Sequence, residues 1–74
     1  MLKDLHQIEK QIQKRLRDAI ETSGLSLTVI AEKVGIAIAT VSYYKSGKKL
    51  PTLPTLAVLC KVLDVSPNDI LGVD

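Results

Sequence analysis

This 74-residue chain has a single cysteine, a single histidine and no long apolar run. Its single Cys excludes an internal disulfide framework and any multi-Cys zinc site. Its single His excludes the usual His-based metal clusters within one chain. No uninterrupted apolar run is long enough to span a bilayer. The opening MLKDLHQIEK carries charges where a secretion signal needs an apolar stretch, so the expected location is the cytoplasm. No Ser-His-Asp or Cys-His arrangement, paired-carboxylate site or phosphate-cradling glycine loop can be assembled from the residues present. The expectation is a binding protein, not an enzyme, with no cofactor, no metal, no membrane contact and no small-molecule substrate.

What is present suits one small domain. Hydrophobic residues make up 46% of the chain, enough to fold around a single core. The net charge of +2 hides an asymmetry. Between Lys33 and Leu63 stand five lysines (Lys33, Lys45, Lys48, Lys49 and Lys61) and no acid, while the remainder holds five bases and eight acids. A basic middle between acidic flanks suggests one positive face, although plain surface scatter of lysines explains the count equally well.

The apolar pattern is helical throughout. Leu5, Ile8, Ile12, Leu16, Ala19 and Ile20 recur at spacings of three and four, which predicts an amphipathic helix from about Asp4 to Thr22, ended by Gly24. Ser26 is placed to cap a second helix whose stripe is Val29, Ile30, Ala31 and Val34, stopped by Gly35. Ala37 to Lys45 reads as a third, closed by Ser46-Gly47, with Val41 and Tyr44 facing inward and Ile38, Ala39, Ser42 and Tyr43 pointing elsewhere. Thr52 or Leu53 starts a fourth, with Pro54 in its first turn and Leu53, Leu56, Leu59, Cys60 and Leu63 inward. Ser66-Pro67-Asn68-Asp69 is a capping box that opens a fifth, held down by Ile70 and Leu71. No strand-like alternation bounded by hairpin turns is present, so the fold class is all-α, a compact five-helix bundle.

Helices two and three, joined tightly at Gly35, form a helix-turn-helix corner. In that geometry the first helix braces the second, which can project into a major groove about 12 Å wide. Many helical domains contain such a corner without touching DNA, so the corner alone leaves the function open.

The stretch Gly24-Leu25-Ser26-Leu27-Thr28-Val29-Ile30-Ala31-Glu32-Lys33-Val34-Gly35-Ile36 resembles the phage-repressor/Cro-type (XRE-type) helix-turn-helix domain. So do Thr40-Val41-Ser42-Tyr43-Tyr44-Lys45-Ser46-Gly47-Lys48-Lys49-Leu50-Pro51 and the tail from Leu53 to Leu71. The resemblance covers residues 12 to 71 and implies a lambda-repressor-like DNA-binding domain over 12–74. Residues 1–11 are then an N-terminal extension that lengthens helix one. The implied role is a sequence-specific transcriptional regulator, a bacterial or phage repressor that places helix 37–45 in the major groove. A DNA-binding antitoxin and a protein-interaction module on the same scaffold are the alternatives.

Three departures from the family pattern bear on the site. The family commonly has Gln at the first position of helix two, where this chain has Leu27. The recognition helix usually opens with polar residues, and here it opens Ala37-Ile38-Ala39, so a side-chain cap worth about 1 kcal/mol is missing. An Arg–Glu pair common in the family is replaced at both positions, by Ile20 and Lys45, so no charge is stranded.

The resemblance assigns base contact to Ala37, Ile38, Ala39, Thr40, Ser42 and Tyr43. Thr40, Ser42 and Tyr43 can hydrogen-bond, whereas the first three offer only apolar contact, suited to thymine methyl groups. A protein-binding knob and an ordinary surface residue are the other readings of Ile38, and a plain exposed ring is that of Tyr43. Phosphate contact falls to Lys33, Lys45, Lys48 and Lys49, and to the helix-two opening at Leu27 and Thr28 through its amides. Cys60 is expected to be an inert core thiol and His6 to be solvated. The partners are double-stranded DNA and a second copy of the chain, so that two recognition helices meet successive grooves about 34 Å apart. Candidate dimer contacts are Val58 with Val62, the end Ile70, Leu71 and Val73, and the extension Met1 to Gln11.

Overall fold

The computed structural model describes residues 4–73. Met1–Lys3 of the extension, and Asp74, lie outside the described residues. Within them the chain forms α1 (Leu5–Thr22), α2 (Leu27–Val34), α3 (Ile38–Ser46), α4 (Leu53–Leu63) and α5 (Pro67–Leu71), with no strand. None of these helices alone is long and apolar enough to cross a membrane.

Local chemistry sets most of the boundaries. Asp4 caps α1 by accepting the Gln7 amide at 2.9 Å. Ser26 caps α2 by accepting the Val29 amide at 3.1 Å. In the capping box of α5, the Ser66 hydroxyl accepts from the Asn68 amide at 3.2 Å and the Asp69 carboxylate accepts from the Ser66 amide at 3.3 Å. The chain bends by 115° between α2 and α3. Gly35 makes that corner at φ +85°, a left-handed conformation that costs any side chain strain. Its amide and that of Ile36 both donate to the Ala31 carbonyl, at 2.8 and 3.0 Å.

The core joins all five helices. α1 contributes Leu16, Ala19 and Ile20; α2 contributes Ile30 and Ala31; α3 contributes Val41 and Tyr44. α4 adds Leu56, Leu59, Cys60 and Leu63, and α5 adds Ile70. α3 is held from two sides, by α1 and by α2, while α4 packs on α2 and α5 packs on α1 and α4. Truncating Leu16 or Leu59, both fully buried, to Ala removes about 2–5 kcal/mol. A domain this size has only about 4–11 kcal/mol in total, at about 0.05–0.15 per residue, so this core is what keeps α3 in place.

Three expectations are corrected. Ala37 is not the first residue of α3 but its N-cap, and Ser46 is still helical, so the helix lies one residue later than 37–45. Leu53 does not face inward: it opens α4 and is 76% exposed, while Leu56 and Leu59 of the same helix are buried. Ile70 is 1% exposed and belongs wholly to the core, so it is unavailable as a dimer contact.

Candidate nucleic-acid interface

α3 buries one side and exposes the other. Val41 and Tyr44 lock it down, and burial raises the Tyr44 phenol above its ordinary pKa. Ala37, Ile38, Ala39, Ser42, Tyr43 and Ser46 are exposed, while Thr40 and Lys45 are half-buried. Ile38 and Tyr43 are the large apolar groups in this set, at 49% and 46% exposure. The spacing 39, 42, 43 and 46 is that of one helix face, with Ile38 one turn below Ser42. Ala37 adopts cap backbone, φ −70° and ψ 147°, but has no side-chain acceptor. The opening turn of α3 therefore presents only aliphatic side chains, as the sequence indicates.

Lysines at the ends of α2 and α3 and in the loop after α3 have no ionic partner among the described residues. The salt bridges of the described residues lie on α1, from Lys14 to Asp18 at 3.3 Å and from Arg17 to Asp18 at 4.0 Å. Lys33, Lys45, Lys48 and Lys49 take no part in them. Lys33 and Lys45 sit in the last turns of α2 and α3, where the helix dipole favours a cation. The Lys48 amide donates to the Tyr43 carbonyl at 3.0 Å, which ties the lysine loop to the end of α3. Ile20, at one of the two replaced charge positions, is 2% exposed and part of the core, so no lone charge is buried there.

The opening of α2 adds backbone donors. Ser26 takes the Val29 amide through its hydroxyl and the Ile30 amide through its carbonyl. The amides of Leu27 and Thr28 have no acceptor among the described residues, which is the arrangement that binds an anion at a helix start. The Leu27 side chain turns inward against the core, so only its backbone is available.

One residue of this face was not singled out from the sequence. Ser46 is exposed one turn beyond Ser42, and its hydroxyl donates to the Tyr43 carbonyl at 3.2 Å. The i, i+4 spacing from Ser42 was the available signal, hidden by reading the residue as part of the closing turn.

A short capped helix, a 115° glycine corner and a second helix exposed along its outer side define a helix-turn-helix domain. A helix-turn-helix family model, HTH_3, matches residues 16–70. The chain belongs to that family. It is 46% identical over 48 residues to YozG, an uncharacterized HTH-type transcriptional regulator of Bacillus subtilis, covering 64% of this chain and 57% of the relative. It is 34% identical over 58 residues to the HTH-type transcriptional regulator AnsR of the same organism, covering 78% and 50%. It is 26% identical over 62 residues to the cryptic phage CTXphi transcriptional repressor RstR of Vibrio cholerae, covering 84% and 55%. The chain spans about half the length of the curated relatives it matches. No solved structure matches it significantly.

Proposed function

We propose that this chain is the DNA-binding module of a transcriptional regulator, and that it acts as a repressor by seating α3 in the major groove of an operator. The observation that carries the reading is the exposed outer side of α3 together with Lys33 at the end of α2, Lys45 at the end of α3 and Lys48 and Lys49 in the loop that follows, none of which has an ionic partner among the described residues. Ala37, Ile38, Ala39, Thr40, Ser42 and Tyr43 face base edges in this reading. The four lysines and the Leu27 and Thr28 amides hold phosphates. Family membership and relatives named as transcriptional regulators support it, and the name of RstR favours repression. The role is binding without catalysis, exercised on cytoplasmic DNA.

A second copy completes the proposal, because one short helix reads one half-site. Val58, 40% exposed on α4, is the contact we assign, with Val62 half-buried beside it. Val58→Asp should shift the protein from dimer to monomer in analytical ultracentrifugation while its melting curve stays cooperative. Within the N-terminal extension, residues 5–11 are assigned to lengthening the first helix, which begins at Leu5 among the described residues.

The test is an anisotropy titration with random duplex at several salt concentrations. A dimer neutralising roughly eight phosphates gives a slope of about −7 for log affinity against log salt. Absence of binding at low salt would overturn the DNA reading and leave the exposed Ile38 as the knob of a protein-interaction module.

A further inference from the structure

The outward side chains of α3 differ in what they can distinguish. Ala37, Ile38 and Ala39 have neither donor nor acceptor, and all three are exposed. Thr40, Ser42 and Tyr43 carry hydroxyls, which can donate or accept. From residue 37 to residue 43 there is no Arg or Lys, which only donate, no Asp or Glu, which only accept, and no Asn or Gln to pair with adenine. The next donor-only group along the chain, Lys45, is half-buried in the last turn of α3.

Pyrimidines present two features in the major groove. Position C4 bears an acceptor in thymine and a donor amine in cytosine; position C5 bears a methyl in thymine and only hydrogen in cytosine. A hydroxyl can donate to the thymine oxygen or accept from the cytosine amine, so hydroxyls carry little discrimination there. Ile38 senses only the presence of a methyl. It has 49% of its surface open to such a contact, and the chain from Lys33 to Leu63, which includes α3, carries lysines and no acid, a charge balance that suits a polyanion.

We propose that the opening of α3 reads the C5 methyl of pyrimidines and is indifferent to their C4 group, so that 5-methylcytosine serves as well as thymine. Both then bind better than uracil or cytosine. The inference rests on the proposed seating of α3 in the major groove.

The experiment starts from a site selected out of a random duplex pool. Each thymine of its half-site is replaced in turn by uracil, cytosine or 5-methylcytosine, with the matching partner base, and affinity is read by anisotropy. Thymine against uracil keeps an A partner; 5-methylcytosine against cytosine keeps a G partner. Each comparison therefore isolates the methyl from the change of base pair. At the contacted position each methyl is expected to strengthen binding about fourfold, the value of one buried carbon. Thymine and 5-methylcytosine should be indistinguishable, and Ile38→Ala should erase the methyl effect while an unchanged melting curve shows that the domain is intact. Binding equal for thymine and uracil at every position, or 5-methylcytosine as weak as cytosine, overturns the inference alone. Failure to bind any duplex overturns the DNA reading with it.

Discussion

Ala37→Ser should stabilise this domain, and the structure supplies its own control. Ala37 caps α3 with φ −70° and ψ 147° and no side-chain acceptor. Ser26 caps α2 with nearly the same backbone, φ −71° and ψ 158°, and its hydroxyl accepts the Val29 amide at 3.1 Å. Ser66, at φ −74° and ψ 141°, does the same for the Asn68 amide at 3.2 Å. A serine at 37 thus meets backbone already shaped for capping, and no core residue has to move, because position 37 is exposed. Supplying the missing acceptor is worth about 1 kcal/mol. In a domain of this length that raises Tm by roughly 4–8 °C. The assay is thermal unfolding by circular dichroism without DNA, with Ser26→Ala measured beside it and expected to fall by a similar amount. If Ser26→Ala lowers Tm and Ala37→Ser leaves it unchanged, the opening of α3 is not under-capped and the reasoning fails.

Three further outcomes are expected. Lys48→Ala combined with Lys49→Ala should weaken all duplexes alike and flatten the salt slope by about 1 per lost phosphate contact; a loss confined to one preferred sequence would contradict the phosphate role. Asp64 stands at φ 57° and, being exposed, has room for replacement, so Asp64→Gly should raise stability by up to about 1 kcal/mol; an unchanged denaturation midpoint would show the left-handed turn to be unstrained. Burial first, and Asp69 second, raise the Cys60 thiol above its ordinary value, and burial raises the Tyr44 phenol. The unfolded chain then loses these protons at lower pH than the folded one. The stability they contribute is complete below about pH 9.0 and is lost as pH rises through the folded values. Tm measured against pH should fall in that range, and Cys60→Ala should remove the earlier part of the fall.

The helices were readable because each boundary carries its own chemistry. Ser26, Gly35, Gly47 and the Ser66–Asp69 box all act within one turn of chain, and each does in the structure what its residue type allows. Periodicity is a different kind of signal. It says which way a face points, not whether another helix reaches it. Leu5 and Leu53 both lie on or beside apolar stripes, yet as the first residues of α1 and α4 they are 77% and 76% exposed. Contacts between distant segments left no trace at all: the Arg15 guanidinium of α1 lies where a Cβ on Gly72, after α5, would have to go. In the candidate site the side chains were legible, because lysine charge and the exposed side of α3 follow from composition and helical spacing. The Leu27 and Thr28 amides were legible too, as the start of a helix capped by Ser26; what the geometry adds is that Ser26 takes the Val29 and Ile30 amides and leaves these two without an acceptor among the described residues.

The central claim is that the outer side of α3 and its lysine border lie against a duplex. Following the backbone amides of the labelled chain by NMR during titration with DNA tests it most directly. The account predicts large shifts at residues 26–28 and 37–49, with α5 and the first turns of α1 unmoved. Shifts concentrated on α1 and α5, or none at saturating DNA, would contradict it.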